Sequence, residues 1–256
     1  MQLALVALLL VVLALLLWRA VTRERRDYAR FKKLRSTQLR QQVFRRWLVE
    51  SLLVLGGLSG IVLLAAWPYV TLVLRDARHW GPLDAIDDSL AGALVIGVVV
   101  GALLLMIVPI LALRGRVDDI PAVGDIRAML PRNRAELPYG AGLALTAGVV
   151  EEMLFRLALP ALLFGIFGNG PVAFALAALL FGLLHLYQGP LGMLFATVLG
   201  LVFTLLYVLS GSILLPIALH AIVDLRSLVL IPVVLGTAWK RTAEGNPVRQ
   251  TPAPQA

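Results

Sequence analysis

The chain has no cysteine among its 256 residues, which excludes thiol catalysis, disulfides and thiolate metal ligands. Acidic residues are also scarce, with 15 Asp or Glu against 23 Lys or Arg, and there are only three histidines. The GxSxG and HExxH sequences that mark many serine hydrolases and zinc proteases are missing. Any hydrolytic chemistry in this chain must therefore use a different set of groups.

Long apolar runs dominate the sequence, which is 60% hydrophobic with a mean hydropathy of +0.89. About 20 apolar residues in a helix cross the hydrocarbon core of a bilayer. We predict an all-α, polytopic helical membrane protein with a buried polar site, and seven spans near residues 2–18, 47–74, 90–113, 138–164, 171–187, 191–209 and 213–236. Four prolines are predicted to end or kink these helices: Pro160, Pro190, Pro216 and Pro232. The GxxxG spacings Gly56–Gly60 and Gly97–Gly101 indicate close helix approach.

Positive charge is concentrated in residues 19–46, which hold 11 Lys or Arg and two acidic residues. The positive-inside rule places this basic arm in the cytoplasm, with the N-terminus outside and the tail that carries Lys240 and Arg241 inside. A second basic loop agrees with that orientation: Arg114, Arg116, Arg127, Arg132 and Arg134. A basic arm beside a span usually lies on anionic headgroups, so we predict anionic lipid, and no nucleic acid, as its partner. The preferred location is a bacterial plasma (inner) membrane, and oligomeric state has no sequence signal.

Three regions follow from these patterns. Residues 1–137 are predicted to form N-terminal transmembrane helices with the basic arm (19–46), and residues 138–238 a helical catalytic core. Residues 239–256 are polar and proline-containing, and they are predicted to form a disordered cytoplasmic tail. Residues 1–17 carry no basic n-region or cleavage site, so they are predicted to remain as a membrane anchor.

A cluster of polar residues interrupts the apolar C-terminal half. Between residues 138 and 236 the charged residues are Glu151, Glu152, Arg156, Asp224 and Arg226, and the same stretch holds His185 and His220. A charge near the centre of a spanning helix costs about 2.5 to 3.5 kcal/mol, so such residues usually face a protein interior or a water-filled cavity. We therefore treat this polar cluster as a candidate functional site.

The spacing within the cluster allows several arrangements. Arg156 follows Glu152 by four residues and Glu151 by five, so either carboxylate can pair with it while the other does chemical work. The alternative is an ion pair that only locks helix packing. His220 and Asp224 are also four residues apart and share a helix face.

Two histidines with carboxylates are the groups of a water-activating site, either around a metal-bound hydroxide or around a Glu/His general base. Both arrangements are hydrolytic. A proton or ion relay transporter is the second hypothesis, because buried Glu, Asp, His and Arg also line ion pathways. A non-catalytic membrane scaffold that keeps the cluster for folding or partner binding is the third.

Three segments carry a family resemblance. EEMLFR at 151–156, FGLLH at 181–185 and HAIVD at 220–224 resemble, in order and spacing, the EExxxR, FxxxH and HxxxN or HxxxD motifs of the CPBP intramembrane proteases. That family groups type II CAAX prenyl endopeptidases with bacteriocin-processing and immunity proteins. The resemblance covers about residues 140–227.

The resemblance implies a protease that cleaves a peptide bond of a peptide or membrane protein at or within the bilayer, prenylated CaaX proteins being one substrate class. Glu151 and His185 would activate the water, Arg156 and Glu152 would brace the site, and His220 and Asp224 would stabilise the oxyanion or complete a metal site. The prenyl proteases usually have Asn at the position of Asp224. Because Asp is the better metal ligand, this departure favours Zn²⁺ bound by His185, His220 and Asp224, and a metal-free Glu/His mechanism is the alternative.

The predicted spans leave one inconsistency. At about 1.5 Å per residue, Glu151 lies about 20 Å from the cytoplasmic start of its span, and His185 lies about 21 Å from the outer start of its own. These boundaries place the two residues at different depths. A tilted or broken helix, or shifted boundaries, would bring them together.

Overall fold

A computed structural model describes residues 2–112 and 125–234, and within these ranges the chain is helical without strands, as the all-α prediction requires. The described residues form seven long helices. They are α1 Gln2–Phe31, α2 Thr37–Arg78, α3 Asp88–Ala112, α4 residues 137–167, α5 Gly170–Leu184, α6 Leu186–Ser210 and α7 Leu214–Val234. Each predicted span falls on one of these helices. The tail at 239–256, with Arg114 and Arg116 of the second basic loop, lies outside the described residues.

Five of the described helices, α1, α2, α3, α6 and α7, are long and apolar enough to cross a membrane. Helix α5 is apolar but has only 15 residues, and α4 carries the Glu151, Glu152 and Arg156 charges. The protein is thus an all-α, multi-pass membrane protein. These two helices, α4 with its charges and α5 with its short length, carry the first and second motifs.

The basic arm is folded as the ends of two helices. Helix α1 continues through the arm to Phe31, and α2 begins at Thr37, where the Ser36 hydroxyl accepts a hydrogen bond from the Leu39 amide. Several arm cations pair with acids of the arm or its flank: Arg23 lies 2.6 Å from Glu50, and Arg46 lies 3.0 Å from Asp27. Other basic side chains stay exposed: Arg25, Arg26, Arg30, Lys33, Arg35 and Arg45.

One arginine of the arm is fully buried and fastens the arm to the start of α4. Arg40 Nε lies 3.1 Å from both carboxylate oxygens of Glu136, and neither side chain is exposed. The guanidinium also donates to the Ala128 and Leu130 carbonyls and lies 4.2 Å from the centre of the Phe31 ring. A buried ion pair needs such additional hydrogen bonds to offset the cost of removing both charges from water, and Arg40 makes them. It fixes the arm beside the helix that carries the first motif.

Close helix packing occurs at glycines other than those in the GxxxG spacings. A Cβ on Gly148 of α4 would lie 3.0 Å from Ala221 of α7, and one on Gly140 would lie 2.9 Å from the Leu228 carbonyl oxygen. In contrast, a Cβ on Gly60, Gly97 or Gly101 would meet nothing within 4 Å. Of the four glycines in these spacings only Gly56 meets another described helix, with Val150 of α4 at an ordinary contact distance of 3.5 Å, so the spacings do not mark the close approaches at Gly140 and Gly148. The glycines of α4 instead allow α7 to approach the first motif.

Candidate active site

The three motifs meet at one cavity of about 280 Å³. Glu151 on α4, His185 directly after α5, and His220 and Asp224 on α7 all line it. Glu152 and Arg156 do not line the cavity, because their side chains are buried behind its wall, at 0% and 1% exposure. The structure thus brings the six predicted residues into one site and divides them between a cavity face and a buried support.

The α4–α5 hairpin explains why Glu151 and His185 lie at the same depth. The helices are joined by Gly168, whose φ of 65° favours glycine, and by Asn169, whose side chain caps α5. Glu151 precedes Asn169 by 18 positions and His185 follows it by 16. At about 1.5 Å per residue these separations are about 27 and 24 Å.

Ring contacts agree with this register, since the Phe155 and Phe181 centroids lie 5.1 Å apart across the two helices. The predicted spans placed Glu151 and His185 at different depths because the depth of Glu151 was measured from the start of α4. The end of α4 that is joined to α5 is the better reference. Helix α4 spans residues 137–167, about 46 Å at 1.5 Å per residue, which exceeds the roughly 30 Å of a hydrocarbon core. Its first residue is therefore a poor reference for depth.

Adjacent positions on α4 give the two glutamates different surroundings. Successive helical residues point about 100° apart. The Glu151 side chain is 20% exposed and faces the cavity, whereas Glu152 is fully buried with Oε2 3.0 Å from Arg156 Nε. Of the two pairings that the spacing allowed, the structure has Arg156 with Glu152. Glu151 has no arginine partner among the described residues and is the carboxylate that a water molecule can reach.

Glu152 also holds the third motif. Its Oε1 lies 2.7 Å from His220 Nδ1, so this carboxylate bridges Arg156 on its own helix and His220 on α7. An ionised carboxylate only accepts hydrogen bonds, and the proton of His220 is therefore on Nδ1. The opposite ring nitrogen, Nε2, lies 3.9 Å from Glu151 Oε2 and 3.8 Å from Asp224 Oδ2. Glu152 thereby fixes which nitrogen of His220 is presented to the other two acids.

His185 is oriented by its own helix. Its Nδ1 lies 2.8 Å from the carbonyl oxygen of Phe181, which can only accept, so Nδ1 donates and Nε2 is left with a lone pair. The imidazole packs 4.7 Å from the Phe181 ring and stacks on Tyr187 at 6.1 Å. Such a backbone-anchored imidazole can hold a water or take a proton at Nε2.

Arg156 is the buried counter-charge of the site. Its Nη2 donates to the Gly200 carbonyl of α6 at 3.2 Å, and its guanidinium lies over Phe181 at 4.7 Å and Phe203 at 5.4 Å. Arg156 lies within a π-helical turn, Met153–Ala158. Pro160 follows it and has no N–H to donate to the Arg156 carbonyl, which accounts for a wider turn here. Helix α4 nevertheless continues beyond Pro160, so this proline distorts the helix without ending it.

The predicted zinc ligands do not form a metal site as they are arranged. Within the described residues, no group of three or more His, Asp or Glu side chains is placed to hold a metal ion. His220 presents only Nε2 toward Asp224, and its Nδ1 is occupied by Glu152. The residues present therefore do not fit a bound Zn²⁺ in this conformation, and the zinc set at His185, His220 and Asp224 stays a prediction.

The sequence predictions missed the residues that the basic arm and the start of α6 bring to the cavity. The additional polar or aromatic lining residues include Arg19, Glu24, Tyr28, Trp47, Glu50 and Tyr187. A signal was present for Tyr187, which follows His185 by two residues in a short 3₁₀ turn. For the arm no local signal exists, because its approach to the motifs depends on long-range contacts such as Arg40 with Glu136. The cavity therefore extends from the three motifs to the basic end of the bundle.

Comparison with known families agrees with this geometry. Residues 133–226 match the family model described as type II CAAX prenyl endopeptidase Rce1-like, and this range contains all three motifs. The match confirms the resemblance of this region to the CPBP family of intramembrane proteases. No curated protein and no solved structure matches the chain.

Proposed function

We propose that this protein is an intramembrane endopeptidase that hydrolyses a peptide bond of a membrane-associated protein or peptide. The observation that carries the proposal is the convergence of Glu151, His185, His220 and Asp224, from three separate motifs, on one cavity. A buried Glu152–Arg156 pair stands behind them and fixes His220. A structural ion pair alone would not need a second carboxylate and two histidines facing open space.

In the proposed mechanism a water molecule in the cavity is the nucleophile. His185 Nε2 orients the water, and Glu151 takes one of its protons as the oxygen attacks the scissile carbonyl carbon. The carbonyl π electrons move onto oxygen and form a tetrahedral oxyanion. When this intermediate collapses, the C–N bond breaks and the leaving amine receives the proton that Glu151 holds. Water is consumed, and one carboxyl and one amine product are released.

We propose a prenylated CAAX peptide as the first substrate class to test. The support is the description of the matching family together with the apolar lining beside the polar groups, which includes Leu16, Leu55, Leu143, Phe155 and Leu184. An apolar wall next to a water-activating site suits a substrate with a lipid-modified side chain, because burial of each methylene group is favourable by about 0.8 kcal/mol.

The direct test is a cleavage assay in liposomes. It uses purified protein that has been washed with a chelator to remove bound metal. We expect hydrolysis of a quenched fluorescent peptide with a farnesylated CAAX end, at one bond, in the absence of stoichiometric metal. His185→Ala is expected to lower the rate by about 10²-fold or more, since a positioned acid–base group contributes about 10²- to 10⁴-fold. Product mass spectrometry identifies the bond, and elemental analysis of the same sample measures zinc.

His79 supplies the matched control, because its exposed imidazole pairs with Asp84 away from the cavity. His79→Ala should cleave at the wild-type rate. Activity that disappears on washing and returns with one equivalent of Zn²⁺ would contradict the metal-free mechanism and support the zinc set. Cleavage that survives His185→Ala would contradict the proposed site, and peptide-independent proton flux without cleavage would favour a relay.

We also propose that the basic arm lies against anionic lipid at the cytoplasmic face, with the N-terminus outside. The exposed arm cations support this orientation, and the cavity is then reached from the cytoplasmic side. Since the chain has no cysteine, single-cysteine labelling tests it without background. In intact cells a membrane-impermeant maleimide should label Asp88→Cys, at the start of α3, and spare Arg30→Cys until the membrane is opened. The opposite pattern would reverse the topology.

A further inference from the structure

The tetrahedral intermediate of the proposed reaction needs a hydrogen-bond donor, and the motif residues supply few. When Asp224 is ionised, it can accept hydrogen bonds but cannot donate one. His220 donates from Nδ1 to Glu152, and its Nε2 lies between the Glu151 and Asp224 carboxylates at 3.9 and 3.8 Å. A donor aimed at the developing oxyanion is commonly one of the largest single contributions to such catalysis.

Tyr187 carries a hydroxyl that can supply such a donor. It lines the same cavity as Glu151, His185, His220 and Asp224. Its ring stacks on His185, with 6.1 Å between centroids and 27° between planes, and it also packs against Tyr28 in an edge-to-face arrangement with centroids 5.3 Å apart.

The Tyr187 hydroxyl keeps its own proton available. Gln188 Nε2 donates to its oxygen at 2.9 Å, and the described residues offer no acceptor for the phenolic hydrogen. The adjacent turn holds the residue in place, since Gly189 adopts a φ of 82° and Pro190 starts the next helical turn. A half-buried hydroxyl that lines the cavity, accepts one hydrogen bond and donates none can donate to a group that arrives with the substrate.

We infer that Tyr187 is a further catalytic residue, whose hydroxyl donates a hydrogen bond to the oxyanion of the tetrahedral intermediate. No proton is transferred in this role, and the phenol keeps its hydrogen throughout. The inference rests on the proposed function. It assigns to Tyr187 the donor that an ionised Asp224 does not provide.

The test is Tyr187→Phe, which keeps the stacked ring and removes only the hydroxyl. We expect kcat on the farnesylated CAAX peptide to fall about 10²-fold with little change in KM, because loss of one oxyanion donor typically costs 10²- to 10³-fold in kcat. Tyr207→Phe is the matched control. It lies on the same helix, is 4% exposed, is remote from the cavity, and should keep the wild-type rate.

Two further measurements separate this role from a structural one. The unfolding midpoint of Tyr187→Phe should equal that of the wild type, and peptide affinity in the inactive Glu151→Gln background should not change when Tyr187→Phe is added. A kcat within threefold of wild type, or a loss confined to KM or peptide affinity, overturns the inference. If the wild type cleaves and Glu151→Gln does not, such a result refutes only the role of Tyr187. If the wild type does not cleave, the proposed function and this inference fall together.

Discussion

Glu151→Gln is expected to abolish peptide cleavage while leaving the protein folded. Glutamine has nearly the shape of glutamate but cannot take a proton from water, and a general base contributes about 10²- to 10⁴-fold to the rate. Because Glu151 lines the cavity and is salt-bridged to no arginine among the described residues, its neutralisation leaves the buried Glu152–Arg156 pair intact and affects only the longer 3.9 Å contact with His220 Nε2. The measurement is initial cleavage rate in liposomes together with the thermal unfolding midpoint of the same preparation.

The control for this experiment is Asp84→Asn, an acid-to-amide change at a side chain that is 59% exposed and distant from the cavity. It should cleave like the wild type. A Glu151→Gln protein that keeps more than a tenth of the wild-type rate would show that another group activates the water. A variant that unfolds early would instead place Glu151 among the structural residues.

The neighbouring substitution Glu152→Gln is expected to act mainly on stability. Glu152 is fully buried, and its removal leaves the Arg156 guanidinium without its counter-charge in the protein interior. Breaking such a buried pair from one side typically costs about 3 to 5 kcal/mol. Activity should fall as well, because His220 Nδ1 loses the carboxylate that orients its ring. The unfolding midpoint in detergent, compared with that of the wild type, measures the first effect.

The double variant Glu152→Gln/Arg156→Met distinguishes a charge effect from a packing effect. It removes both buried charges, so most of the lost stability should return while the cleavage rate stays low. Asp125→Asn is the matched surface control, since Asp125 pairs with Lys32 at side-chain exposures of 51% and 42% and should change stability by no more than about 1 kcal/mol. If the unfolding midpoint of Glu152→Gln equals that of Asp125→Asn, the buried Glu152–Arg156 pair does not stabilise the fold.

Local sequence patterns predicted the helices and the motif residues well. Apolar run length predicted one span for each long helix of the described chain, because a helix satisfies its own backbone hydrogen bonds and needs only enough apolar residues to cross. Of the six site residues predicted from the motifs, two form the buried support and four line the cavity. Spacing of four residues also identified the His220–Asp224 face correctly, since that contact lies within one helix.

Contacts between distant segments were beyond these patterns. The GxxxG spacings did not identify the close approaches at Gly140 and Gly148, because a small residue permits close approach only where another helix packs against it. The approach of the basic arm to the cavity depends on the buried Arg40–Glu136 pair, whose residues are 96 positions apart. Charge counting treated Arg40 as one more surface cation, although its side chain is completely buried.

Hydropathy and short-range spacing are properties of the chain alone, and they were enough to predict an all-α membrane protein with a buried polar cluster. Which glutamate faces water could not be read from them, because residues 151 and 152 point about 100° apart and the packing of α6 and α7 around α4 selects between them. The tertiary structure also decided the common depth of Glu151 and His185 and the presence of Tyr187 beside them. Those relations follow from the α4–α5 hairpin and its neighbours, which no local pattern encodes.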